Sequence, residues 1–219
     1  MKTKKEKRLS EKGALLTEKL KEIYPESECA LKYEGDPWRL LVMARLSAQC
    51  TDERVNIVSV PLFEAFGDVF AMAAAPLSEI EEIIKPCGLY RGKAKSIKEA
   101  AEIISEKYGG RIPDTMEELL ELPGVGRKIA NLILGDLYKK GGIVADTHCM
   151  RICGRFGFYE NGKKDPLFTE KVMDQYIKKE EQSDFCHRIV YFGREWCTAR
   201  SPRCTECPLC ELCDSYGTV

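Results

Sequence analysis

Leu122-Pro-Gly-Val-Gly-Arg-Lys128 lies between two stretches that read as helix, and it decides how the rest of the chain is read. Ahead of it, Thr115-Met-Glu-Glu118 has the form of a capping box and opens a short helix through Leu119 and Leu120. Pro123 and Gly124 stop that helix, and another is predicted from about Arg127 to Tyr138. Two glycines one residue apart let the backbone turn tightly and bring its N–H groups to the surface without Cβ obstruction. The second helix aims its positive dipole end and its unpaired N–H groups at the same spot. A bare Gly-x-Gly is a tight turn and no more. Flanked by helices and preceded by Leu-Pro, the residues Leu122, Gly124, Gly126 and Arg127 become a candidate cradle for a phosphate oxygen, one that senses nucleic-acid backbone and not base sequence.

Helical signals dominate on both sides of this hairpin. Asp36-Pro37 is an N-cap followed by proline at the first helical position, with Trp38, Leu41, Val42, Arg45 and Leu46 continuing at helical spacing. Thr51 caps a predicted helix beginning Asp52-Glu-Arg-Val55. Ala94, Ile97, Ala101, Ile104 and Tyr108 form a stripe of 3.6-residue period. Asp146 caps a further helix with Cys149, Ile152, Cys153 and Phe156 on one face. Residues 142–145 come nearest to strand chemistry and are too few to build a sheet. Gly141-Gly142 and residues 162–166 read as loops. The fold class expected is all-α.

Composition narrows the function less. The 219 residues suffice for one sizeable core or two small ones. No apolar run approaches the roughly 20 residues that span a bilayer, so no membrane partner is expected. A net charge of -1 does not announce a nucleic-acid binder, although a basic face can coexist with an acidic back. The basic segment from Met1 to Arg8 has no apolar stretch behind it and is expected to be a solvated end, with a phosphate-touching arm as the alternative. Eleven cysteines without a secretory signal argue against a disulfide scaffold and for a reducing compartment. Seven of them (Cys29, Cys50, Cys87, Cys149, Cys153, Cys186 and Cys210) are scattered, and most are expected to serve as small buried apolar residues. The other four, Cys197, Cys204, Cys207 and Cys213, are spaced C-x6-C-x2-C-x5-C. Four thiolates suit zinc and iron–sulfur chemistry alike in softness. The spacing has only one short pair, unlike most zinc sites, and it is not that of common ferredoxins.

Two further residues carry chemistry. Lys128 falls in the first turn of the helix after the hairpin, where the helix dipole and expected partial burial would disfavour its ammonium form. A neutral amine can attack a sugar carbon and form a Schiff base, and a plain surface lysine touching phosphate fits the residue equally well. Asp146 is an N-cap. A capping carboxylate held by backbone N–H groups stays ionised, and it can stabilise a developing cation or accept a proton.

Leu122-Pro-Gly-Val-Gly-Arg-Lys-Ile-Ala130, followed by Val144-Ala-Asp-Thr-His148, resembles the helix–hairpin–helix DNA glycosylases, specifically the endonuclease III family. The resemblance extends from about Trp38 to Cys213 and includes Leu46-Ser-Ala-Gln-Cys-Thr-Asp52, Gly88-Leu-Tyr90 and the terminal cysteines. It implies two helical lobes with DNA between them, one of residues 30–140 and the other of 1–29 plus 141–219. It implies that Lys128 is the lyase nucleophile and Asp146 the catalytic carboxylate. A bifunctional glycosylase and abasic-site lyase follows, cutting the strand 3′ to an oxidised pyrimidine by β-elimination. It also implies that the four cysteines hold a [4Fe–4S] cluster, with Cys210 a bystander and Arg200 and Arg203 presented to phosphates. Gln49 and Leu89 match positions from which the family inserts side chains into the duplex, and His148 is expected among the DNA contacts.

Adenine-removing relatives carry a glutamate where Arg45 stands, which argues against adenine as substrate. Arg45 is itself unexplained on an otherwise apolar helix, to be paired with a carboxylate or to reach DNA. Cys87 stands where some relatives carry a larger aliphatic residue, so a wedge of different shape is expected. The expected partner is double-stranded DNA with damaged bases or abasic sites. The protein is expected to be a monomer in the cytoplasm, nucleoid-associated if prokaryotic. A mismatch-specific thymine or uracil glycosylase and a non-catalytic DNA-binding module are the rival readings.

Overall fold

The computed structural model describes residues 3–26 and 28–219, and among them every regular element is helical. Helix α1 spans Lys4–Ile23. Met1 and Lys2, part of the segment expected to be a solvated end, lie outside the described residues. From Thr3 to Arg8 the residues are largely exposed, as a solvated end would be, but they belong to an ordered helix. The Thr3 hydroxyl accepts the Glu6 N–H at 3.2 Å and the Glu6 carboxylate accepts the Thr3 N–H at 2.6 Å, a reciprocal cap that starts the helix.

The chain divides into two compact units. One is Cys29–Tyr138; the other joins the residues up to Glu28 with Lys139–Val219. In the first, α2 (Pro37–Leu46), α3 (Asp52–Ala65), α4 (Val69–Ala74), α5 (Leu77–Ile84), α6 (Tyr90–Tyr108), α7 (Met116–Glu121) and α8 (Arg127–Asp136) surround one core. Asp36, Thr51, Asp68 and Thr115 cap α2, α3, α4 and α7 through their side chains. The stripe read on α6 is the buried one: Ala94, Ile97, Ala101 and Ile104 are fully enclosed, and Tyr108 is half-buried at the helix end. The predicted capping box at Thr115 is half formed. Its hydroxyl accepts the Glu118 N–H and donates to the Glu118 carboxylate, which takes the place of the return bond to the Thr115 backbone.

In the second unit, α1 packs with α9 (Thr147–Arg155), α10 (Pro166–Met173) and α11 (Gln182–Glu195). Leu16, Leu20, Ile152, Phe156, Phe185, Ile189 and Phe192 form its centre. Gly13 on α1 lets Tyr176 approach so closely that a Cβ would stand 2.5 Å from the Tyr176 carbonyl oxygen. Residues 142–145 join no strand. Gly142 N–H donates instead to Gln182 Oε1 at 2.8 Å and Val144 N–H to Cys186 Sγ at 3.2 Å, so side chains of α11 satisfy this extended backbone. Of the seven scattered cysteines, Cys87, Cys149, Cys153 and Cys186 are buried, while Cys29, Cys50 and Cys210 are half-buried.

Candidate nucleic-acid interface, reactive groups and cysteine pocket

The hairpin is held from below. Leu122 and Val125 are buried, and the Val125 N–H bonds the Leu122 carbonyl at 3.0 Å, closing the turn. The two glycines have different reasons. Gly124 has φ +80, and a Cβ on it would stand 2.4 Å from Arg45 Nε and 2.8 Å from Ser96 Oγ. Gly126 is extended, caps α8 without a side-chain bond, and has open space where its Cβ would be. The first turn of α8 therefore meets solvent unobstructed, with its own N–H groups presented. We expect Gly124→Ala to cost about 1–3 kcal/mol through its left-handed backbone and the Arg45 clash, read as a lowered Tm, and to weaken DNA binding in parallel.

Arg127 and Lys128 are the first two residues of α8, and both are exposed. The partial burial expected for Lys128 is absent, because α8 buries Ala130, Ile133 and Leu134 and leaves its first turn to solvent. The amine is accessible to a ligand laid on the hairpin.

Gln49 and Leu89 share an uncommon backbone state. Gln49 has φ 54 in the turn between α2 and α3, where the Cys50 N–H bonds the Ser47 carbonyl at 3.1 Å. Leu89 has φ 48 and ψ 27 and stands at the N-terminus of α6, directly after Gly88. Left-handed backbone at a residue other than glycine is costly, the more so at leucine, and such residues collect at functional sites. Leu89 is 63% exposed, so it is not the core residue that its apolar character alone would suggest. Among the described residues Arg45 meets no carboxylate: its Nε donates to Ser96 Oγ at 2.8 Å, with the guanidinium packed under Gly124. Burial lowers its pKa from the usual guanidinium value.

In the second unit, the half-buried Asp146 caps α9, its carboxylate accepting the Cys149 N–H at 2.8 Å. His148 is the second residue of α9, with Nδ1 3.1 Å from an Arg151 guanidinium nitrogen. Gly193 on α11 makes room for this ring; a Cβ there would stand 2.4 Å from His148 Nδ1.

Cys197, Cys204, Cys207 and Cys213 all line one pocket, together with Phe156, Phe192 and Trp196. Arg155 braces it, donating to Cys197 Sγ at 3.3 Å, to the Thr198 carbonyl at 2.8 Å and to the Ala199 carbonyl at 3.2 Å. Arg151 adds two bonds to the Cys197 carbonyl, at 3.0 and 2.9 Å. Burial pushes the Cys207 and Cys213 thiols up, and the neighbouring sulfurs act in the same direction; binding a cation at thiolates would displace these protons. Four soft ligands facing one apolar-walled space fit a thiolate-bound metal or cluster. Cys210 also lines the pocket. Arg200 and Arg203 are exposed on the same loop.

Sequence reasoning missed Lys93. It is buried at 1% exposure, and its Nζ bonds two backbone carbonyls. A lysine amid the apolar stripe of α6 was the available signal.

The family described as "HhH-GPD superfamily base excision DNA repair protein" matches residues 42–179. Endonuclease III of Bacillus subtilis (strain 168) is 42% identical over 196 residues, covering 90% of this chain and 89% of that protein. Two solved structures superpose with a TM-score of 0.85 at 38% identity over 98% of this chain: a non-covalent endonuclease III–DNA complex, covered to 96%, and a trapped endonuclease III–DNA covalent intermediate, covered to 97%.

Proposed function

Because the chain belongs to the HhH-GPD superfamily of base excision DNA repair proteins, we propose that Lys128 is the amine through which it performs that repair on duplex DNA. The chain is a DNA glycosylase with abasic-site lyase activity, of the endonuclease III kind, working through a Schiff base. The observation that carries the assignment to Lys128 is its place: an exposed amine on the second residue of α8, directly after the glycine hairpin. The hairpin N–H groups and Arg127 hold backbone phosphate. Gln49 and Leu89 enter the duplex where the target nucleotide leaves the stack.

The chemistry then balances as follows. The Lys128 amine adds to C1′, and the glycosidic C–N bond breaks with its electron pair leaving on the base, which takes up a proton. The sugar ring opens to a protonated imine between C1′ and Nζ. Loss of a C2′ proton then expels the 3′ phosphate by β-elimination, and water releases the lysine. Asp146 supplies the fixed carboxylate that stabilises positive charge on the sugar and accepts a proton. His148, Arg200 and Arg203 contact the DNA backbone.

Cys197, Cys204, Cys207 and Cys213 hold a [4Fe–4S] cluster in this reading, supported by the pocket they share and by their spacing. A bound cluster closes residues 197–213 into a loop that presents Arg200 and Arg203. Cys204→Ser is expected to remove the visible absorption and the bound iron and to lower Tm, whereas Cys210→Ser should leave the iron content unchanged.

Oxidised pyrimidines and abasic sites are the proposed substrates. Duplexes carrying an abasic site, thymine glycol or a G·T mismatch test this directly. Nicking of the first two is expected. Nicking at G·T alone would replace the reading with a mismatch enzyme, and binding without nicking would reduce it to a DNA-binding module.

A further inference from the structure

A buried polar chain runs beneath the three turns just described, all within Cys29–Tyr138. Its node is Lys93 on α6. Lys93 Nζ donates at 2.8 Å to the carbonyl of Leu46 and at 2.8 Å to the carbonyl of Cys87. Leu46 is the last residue of α2, three positions before Gln49. Cys87 ends the 3-10 turn Lys85–Cys87, two positions before Leu89. From the Lys93 backbone the chain continues: Ser96 Oγ donates to the Lys93 carbonyl at 3.0 Å and accepts from Arg45 Nε, which lies under Gly124.

Packing does not require a lysine here. An unbranched apolar side chain such as methionine has nearly the same reach, and enclosing an ammonium is costly unless its donors are used. What the ammonium supplies is a pair of bonds to two carbonyls left unpaired at the ends of helical segments, joining turns separated by about forty residues of sequence. Burial and the nearby Arg45 charge lower the pKa of Lys93, while the Cys50 and Cys87 thiols raise it. A neutral amine would still donate both bonds.

We propose that Lys93 is a positioning residue: it fixes the spacing of the Gln49 and Leu89 turns, so that the two side chains enter the duplex as one rigid wedge. The inference rests on the reading of Gln49 and Leu89 as duplex-inserting residues. Left-handed backbone at both positions needs a rigid support, and a shared anchor ties any displacement of one turn to the other.

The test compares kcat/KM on a thymine-glycol duplex, where a base must be expelled from the stack, with nicking of an abasic-site duplex, where none remains. Lys93→Met is expected to lower the first about 10–100-fold and the second by less than about 3-fold. The fluorescence rise of a 2-aminopurine beside the lesion should be lost in parallel. Lys93→Arg, which keeps two donors, should recover part of both. In the wild-type background, Gln49→Ala and Leu89→Ala together should lose at least about 5-fold less than the product of their single losses, and in Lys93→Met the two should multiply.

Equal impairment of Lys93→Met on both substrates, or none on either, would overturn the proposal. Should Lys93→Met fail to fold, the wild-type cycle decides alone, and multiplicative losses there would sink it. Single Gln49→Ala and Leu89→Ala variants that excise thymine glycol normally would instead remove the wedge reading on which it stands.

Discussion

Lys128→Ala protein is expected to give no covalent adduct when borohydride is added to its mixture with an abasic-site duplex, under conditions where wild type is trapped. Borohydride reduces an imine to a stable amine, so the adduct reports a bond between a protein amine and C1′, and the variant tells which amine. Removing the nucleophile should lower strand cleavage by on the order of 10³-fold or more. Lys128→Arg separates the two readings that the residue allows. An exposed lysine at the start of α8 could simply hold a phosphate, and arginine would do that as well or better. Arginine cannot form the imine, because its guanidinium stays protonated. Trapping and cleavage should therefore fail in Lys128→Arg while DNA binding, measured by titration at fixed salt, stays within about 3-fold of wild type. Burial changes little at this position, so neither variant should shift Tm by more than a degree or two, about 0.5 kcal/mol. Trapping that survives in Lys128→Ala would assign the Schiff base to another amine.

The glycine hairpin was legible because its signals are local: Pro123 and Gly124 stop one helix, and the capless Gly126 opens the next. The cysteine spacing was legible for the same reason, since residues within 17 positions in sequence end around one pocket. Leu89 shows the opposite. Its chemistry reads as core, and only the family resemblance marked it as exposed. The left-handed backbone that turns it to solvent arises from Gly88 and the entry into α6, which hydrophobic pattern does not encode. Lys93 was beyond reach of any local reading, because its meaning depends on the Leu46 carbonyl 47 residues away. Thr3 and Glu6 carry a readable cap, set among basic residues that by charge alone read as a solvated end. For Lys128, the chemistry calls for partial burial, whereas the register of α8 places the residue in solvent.

Asp146 serves two functions that one substitution can separate. Its carboxylate caps α9 by accepting the Cys149 N–H at 2.8 Å, and the same group is the proposed acid–base residue. Asparagine caps a helix as well as aspartate does and carries no charge. Asp146→Asn should accordingly keep the cap and its Tm while base excision and cleavage fall about 10²–10⁴-fold, the range expected when a positioned acid–base group is lost. Asp146→Ala loses the cap also, about 1 kcal/mol of stability, so its Tm should drop where that of the asparagine variant does not. Single-turnover kinetics at saturating enzyme isolate the chemical step from binding. If the carboxylate only ends a helix, Asp146→Asn will turn over within about 3-fold of wild type and the alanine variant will be impaired in proportion to its stability alone. If it stabilises the sugar cation, both variants will be slow on an oxidised pyrimidine, and Asp146→Asn will be slow in a fully folded protein. That pairing of lost rate with unchanged Tm is what a merely structural aspartate cannot produce.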